Sequence, residues 1–318
     1  MRERDFATQH ASGLMTLSRC FGSPAPPKYT HETNAEALMN RLTFPFCQIG
    51  DFQVTALSDG NMSASLDLLS GIEKADGEVI QHNAGIAEPG NIHINCYLIR
   101  GRGRTILVDT GAGNLNNIGG RLKTNLAAVG VSPDDVDTVL LTHCHPDHIG
   151  GLLDDEKRPV YKHAEVILHP LEAEHWWDDK KLKMANERGQ RNFNLVRQML
   201  NAYAPNVSFF NEDKIAEDIL PIWLPGHTPG HTGFRIDSGD KCLLIWGDII
   251  HYPHIQSAQP DVSILFDVDP ALAEETRKKI LEQAVREKML IAGMHLGRAG
   301  FANILSVGSG YRISYPEK

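Results

Sequence analysis

Cysteine is scarce in this sequence and odd in number. Five residues (Cys20, Cys47, Cys96, Cys144, Cys242) are scattered through 318, which excludes a disulfide framework and suits a reducing compartment. Positive charge is in short supply as well. The 31 Lys+Arg against 40 Asp+Glu leave a formal −9, and no dense basic run offers itself to nucleic acid or to an anionic membrane. No apolar stretch approaches the roughly 20 residues that span a bilayer, and residues 13–21 are too short and mixed for a secretory signal core. The expectation is a cytoplasmic protein with a small-molecule substrate, without nucleic-acid or membrane partners.

Ordinary globular features fill the rest. Apolar residues make up 42% and charged residues 22%, and the length allows one large core. Residues up to Arg41 lack a clear period and contain Pro24-Ala25-Pro26-Pro27. Residues 1–45 are therefore expected to form an N-terminal arm, disordered or lying on a second subunit of a homodimer through Phe6, Leu14, Leu17 and Phe21. Residues 46–318 are expected to form the catalytic domain. Within it, 52–57 alternates and stops at the turn residues Ser58-Asp59-Gly60, and 92–99 with 105–108 reads as a hairpin over Gly101-Arg102-Gly103. Apolar runs at 139–141, 166–168, 219–224, 242–246 and 289–292 alternate with helical spacings such as Phe193, Val196, Leu200 and Tyr203. Strands and helices alternating in two batches specify an α/β domain.

One turn concentrates the chemistry. Directly after Val139-Leu140-Leu141 comes Thr142-His143-Cys144-His145-Pro146-Asp147-His148. A strand ending there delivers three imidazoles and a carboxylate to one place, a donor set suited to a borderline divalent metal such as zinc. His143 and His145 face one way if the backbone stays extended, while Asp147 and His148 fall on the next face, so one turn can serve two metals. The Cys144 side chain then points away from both. Three other strand ends carry similar residues: His227 in Pro225-Gly226-His227-Thr228-Pro229-Gly230-His231, Asp248 after Gly247, and His295 after Gly293-Met294. A carboxylate can bridge two ions, and Asp248, at the end of a buried strand, is the bridging candidate.

Together with Asp109-Thr110-Gly111, these residues resemble the metallo-β-lactamase superfamily over residues 51–318. The resemblance implies an αβ/βα four-layer sandwich and two divalent metal ions, expected to be zinc. It places His143, His145 and His227 on one ion, Asp147, His148 and His295 on the second, and Asp248 between them. Asp109 and His231 are expected to support the ligands. The oxygen-reducing diiron branch resembles this pattern but has glutamate at the position of His145, which favours hydrolysis over redox iron. An iron-dependent sulfur dioxygenase is the alternative of another class. Small homoserine-lactone hydrolases resemble the chain but place tyrosine at the position of His251. The stretch from Trp246 to His251 and residues 261–275 look closer to the methyl-parathion-hydrolase-like branch, beside the lactonases.

The implied activity is attack by a metal-bound hydroxide on a neutral, hydrophobic lactone, ester or organophosphate triester, with Asp147 or His251 relaying the proton. A hydrolytic dehalogenase of an activated aromatic would use the same centre. Expected pocket walls are Leu68, Leu69, Ile118, Trp176, Trp177, Phe193 and Phe266. No arginine clamp is evident; Arg298 is the only arginine close in sequence to His295.

Overall fold

Side-chain alternation along the central strands sorts their residues between two cores. The computed structural model describes residues 44–210, 215 and 218–316. Its first half builds β1 (Phe46–Ile49), β2 (Phe52–Ser63), β3 (Leu69–Ser70), β4 (Asn91–Gly101), β5 (Arg104–Val108), β6 (Thr138–Leu140), β7 (Glu165–Leu168) and β8 (Val207–Phe209). The second half builds β9 (Ile219–Trp223), β10 (Thr232–Ser238), β11 (Lys241–Ile245), β12 (Ser263–Ile264), β13 (Leu290–Ala292), β14 (Phe301–Val307) and β15 (Gly310–Ser314). One sheet runs β1-β2-β4-β5-β6-β7-β8, another β15-β14-β13-β11-β10-β9, and β3 pairs with β12 apart from both. Strands β5 to β8 are parallel to one another, as are β11 and β13.

Odd and even residues then point to opposite faces. Tyr97, Ile99, Ile106, Val108 and Leu140 of the first sheet meet Phe234, Ile236, Leu243 and Ile245 of the second in a shared core. Leu98, Leu107 and Val139 turn outward beneath helices Leu122–Ala128, Pro170–Trp177 and Glu187–Ala202. Leu244 and Ile291 pack under the long helix Pro270–Glu287. The layers are helix, sheet, sheet, helix, an αβ/βα sandwich. Burial on both faces explains why these strands read as nearly continuous apolar runs. The Tyr97 hydroxyl joins the sheets: it lies 2.8 Å from Gly293 O and 2.5 Å from Gly300 O, and it accepts from Gly293 N–H at 2.9 Å.

Two local readings change. The expected turn at Ser58-Asp59-Gly60 is a bulge inside β2, with the register shifting between Ser58 and Gly60. Asp59 is fully buried there because its carboxylate accepts from Ala112 and Leu122 N–H, which anchors the glycine-rich loop after β5. Helix Lys74–Asn83 has no clear apolar stripe and escapes the periodicity reading. Of the expected arm and its role in a homodimer, all but Phe44 and Pro45 lies outside the described residues; Pro45 O already accepts from Ala56 N–H of the domain.

Candidate metal centre

Strand ends bring the site together. Asp109 directly follows β5, Thr142 comes two residues after β6, and Asp248 and His295 come three residues after β11 and β13, so parallel strands present their carboxyl ends to one crevice. Asp109 adopts a left-handed backbone with φ of 58°, unusual for a residue other than glycine. Its carboxylate accounts for that conformation: Oδ1 accepts from Thr142 N–H at 2.8 Å, and Oδ2 accepts from the Thr142 hydroxyl at 2.7 Å and His148 Nδ1–H at 2.6 Å. Burial raises the Asp109 carboxyl, against the pull of His148.

Hydrogen bonds also choose the histidine tautomers. His148 Nδ1 donates to Asp109, His227 Nδ1 to Asp267 Oδ1 at 2.8 Å, and His295 Nδ1 to the His93 carbonyl at 2.7 Å. His143 Nδ1 lies 3.1 Å from the Thr142 hydroxyl, whose own proton is committed to Asp109. In each ring Nε2 is left facing the crevice. Burial first, then neighbouring imidazoles, holds His143 and His145 well below the ordinary histidine range, so both stand neutral. Burial acts to lower His148 and His295 too, but Asp248 and Asp147 outweigh it and both are raised.

Three nitrogens converge: His143 Nε2 to His145 Nδ1 is 3.0 Å, His145 Nδ1 to His227 Nε2 is 2.9 Å, and His227 Nε2 to His143 Nε2 is 3.2 Å. Nitrogens sharing a tetrahedral zinc at bonds of about 2.0 Å lie about 3.3 Å apart, so the triangle fits an ion. Asp147, His148, Asp248 and His295 make a second group that could hold one. Asp248 Oδ2 touches both groups, at 3.1 Å from His148 Nε2, 3.2 Å from His295 Nε2, 3.5 Å from His227 Nε2 and 3.8 Å from His143 Nε2. The buried Asp248 Oδ1 has no hydrogen-bond partner among the described residues, an uncompensated carboxylate oxygen that a cation would satisfy.

His251 is closer to this cluster than its expected place at the substrate alone. Its Nε2 is 3.2 Å from Asp248 Oδ2, and its ring stacks on His295. His231 coordinates nothing in either group built around the turn. Its Nδ1 donates to the Leu224 carbonyl, its Nε2 accepts the Asp248 backbone N–H at 2.9 Å, and burial holds it down to about 3. Cys144 is buried in the outer core, its thiol raised by burial and then by Glu172.

Glu172 and Asp267 are two residues that motif reading passed over. The fully buried Glu172 carboxylate ties the two ligand loops together: Oε2 accepts from Cys144 N–H and Trp176 Nε1–H, each at 3.0 Å, and Oε1 accepts from Gly230 N–H at 3.0 Å and from the Thr228 hydroxyl. Asp267 orients His227 and faces the buried Arg277 at 3.5 Å. A glutamate in the first turn of a helix led by His169-Pro170 looks like ordinary capping chemistry; only its burial reveals otherwise.

A cavity of about 250 Å³ opens on the centre, lined by Met62, His145, Pro146, Asp147, Asn186, Arg188, Gly189, Asn192, Asp248, His251, Leu265 and Phe266. Of the expected walls only Phe266 lines it. Trp176 and Phe193 belong to the outer core, since Glu172 takes the Trp176 N–H and fixes that ring inward. Trp177 is 45% exposed beneath Arg197. Leu69 is buried and Leu68 half-buried in the cluster behind Phe266, and Ile118 is half-buried in the glycine-rich loop. Arg188 enters the cavity from far along the chain, where linear distance from the ligands had hidden it.

The model of the metallo-beta-lactamase superfamily matches residues 89–295, and the chain belongs to that superfamily. It is similar to AidC, a dizinc quorum-quenching lactonase solved with a product: 27% identity over 86% of this chain and 98% of that one, TM-score 0.81. It is similar to hydrolase AbOPH at 29% identity, covering 87% and 99%, TM-score 0.80. Among curated proteins, a beta-lactamase-like protein 2 homolog of Caenorhabditis elegans is 32% identical over 36% of this chain, which spans only 41% of that protein. An N-acyl homoserine lactonase of Bacillus cereus is 23% identical over 63% of this chain and 80% of its own length. The chain thus joins the fold of this superfamily to His/Asp groups that could hold metal ions.

Proposed function

We propose that the protein hydrolyses a neutral, largely apolar small molecule, a lactone first and an ester or phosphotriester with the same machinery. The carrying observation is Asp248 Oδ2 shared by both ligand groups at the floor of a cavity lined by Asp147 and His251. Similarity to a dizinc lactonase supports the lactone and a pair of zinc ions. His143, His145 and His227 would hold one ion, Asp147, His148 and His295 the other, and Asp248 both. Such ions supply Lewis acidity, lowering the pKa of a water and polarising an ester oxygen.

The chain's own residues do the remainder. Asp109, Thr142 and Asp267 keep the rings in the tautomers that face the crevice. Asp147, whose carboxyl is held well down by the His148 and His295 rings against the opposing effect of burial, accepts a proton at Oδ2. Asp147 then gives that proton to the leaving oxygen, and His251, whose Nε2 lies 3.2 Å from Asp248 Oδ2, is the alternative carrier. Phe266, Leu265 and Met62 exclude water from one side of the substrate. Resemblance of the Trp246 to His251 stretch keeps the methyl-parathion-hydrolase-like branch beside the lactonases in this reading. The test is a panel of lactones, aryl esters, phosphotriesters and phosphomonoesters with metal analysis before and after chelation. Turnover of neutral substrates that disappears with the metal supports the proposal; phosphomonoesters outpacing every neutral compound would refute it.

A further inference from the structure

The cavity lining mixes apolar and polar groups, and its polar helix residues are unaccounted for by the reaction. Helix Glu187–Ala202 packs Phe193, Val196 and Leu200 into the core. Arg188 and Asn192, four residues apart and so on one face of it, line the cavity instead. The Arg188 guanidinium carbon sits 4.7 Å over the Phe266 ring, and that ring in turn meets His251 edge-on at 5.9 Å. A ring face fixes where a guanidinium sits while offering none of its five N–H donors a conventional acceptor. No carboxylate pairs with Arg188 and no side-chain hydrogen bond engages Asn192 among the described residues. Met62 and Leu265 add apolar surface to the same cavity, and Leu265 is 75% exposed.

From this juxtaposition we infer that Arg188, assisted by Asn192, is a specificity-determining residue that reads a hydrogen-bond acceptor, an amide or ester carbonyl, set apart from the scissile bond. The substrate then carries an ester at the metal centre, an apolar tail for Met62 and Leu265, and between them a carbonyl for Arg188. The inference rests on the proposed hydrolase reading and adds the second polar group to its substrate. Arginine suits this task because its donors form a rigid planar fork held in place by Phe266.

The test uses the metal-loaded full chain and two lactones of matched chain length: an N-acyl homoserine lactone, which has the amide carbonyl, and a γ-alkyl lactone, which lacks it. The ratio of their kcat/KM values is compared between the natural protein and Arg188→Met, with metal content measured in both. A charged hydrogen bond predicts that the ratio falls about 10- to 100-fold in the variant, with Arg188→Lys between them and metal content equal. A ratio unchanged within twofold overturns the inference, even though both lactones are hydrolysed. If neither lactone is turned over, the hydrolase reading fails separately, and calorimetric binding of N-hexanoyl-homoserine decides the role of Arg188. Affinity reduced at least tenfold in Arg188→Met supports it, and a smaller change or no binding overturns it.

Discussion

Replacing Glu172 by glutamine tests whether the ligand loops are held from behind. Each carboxylate oxygen accepts two donors: Cys144 N–H and Trp176 Nε1–H on one side, Thr228 hydroxyl and Gly230 N–H on the other. An amide keeps the shape but turns one oxygen into a donor; with its NH2 toward Thr228, whose hydroxyl can turn to accept, Gly230 N–H still loses its acceptor, and the opposite orientation strands both Cys144 N–H and Trp176 Nε1–H. At about 1–3 kcal/mol for each unsatisfied buried group the loss is on the order of 1–3 kcal/mol in the better orientation. That corresponds to a melting temperature lower by on the order of 2–10 °C. The same change loosens Cys144, between two nitrogen ligands, from the loop that carries His227. Metal affinity should therefore fall about 10- to 100-fold. Thermal unfolding in excess chelator reads the first effect, and competition against a chelator of known affinity reads the second. Glu172→Gln with unchanged melting and unchanged metal affinity would refute the reasoning.

Asp248→Ala should lose metal together with rate, because one oxygen lies within 3.8 Å of His143, His148, His227, His251 and His295; elemental analysis showing full occupancy would end the bridging assignment. Asp267→Asn should weaken the site that contains His227 by about 10- to 100-fold, since the ring loses its charged acceptor at Nδ1; chelator competition giving the natural affinity would contradict this. His251→Ala should lower kcat by on the order of 10²- to 10⁴-fold while metal stoichiometry holds, and a variant that loses metal yet runs at full rate per remaining centre would show the role to be misplaced. Tyr97→Phe strands the Gly293 N–H between the sheets and should cost about 1–3 kcal/mol in denaturant unfolding, with unaltered stability as the contrary result.

The candidate ligands stood out in the sequence because metal chemistry restricts residue type, and because strands with both faces buried advertise their ends. His143 to His148 stand within one turn, and His227, Asp248 and His295 each follow an apolar run. The α/β class followed from the same runs alternating with helical spacings, whereas the four-layer αβ/βα sandwich was implied by the resemblance to the metallo-β-lactamase superfamily. The bulge at Ser58 and Gly60 did not show, because Ser58-Asp59-Gly60 has the composition of a turn, and only the distant amide N–H groups of Ala112 and Leu122 make Asp59 a buried anchor.

Tertiary structure alone decided what surrounds the centre. Trp176 and Phe193 have the composition of pocket walls, yet Glu172 and the helix faces turn them into the core. Arg188 and Asn192 have the composition of solvent-exposed helix, yet packing of the opposite face aims them at the cavity. Glu172 and Asp267 act through hydrogen bonds to residues 28 to 58 positions away, a separation that carries no local signal. Coordination selects side chains by their chemistry, which the sequence states directly. Walls and supports are selected by position in space, which depends on how the sheets and helices pack.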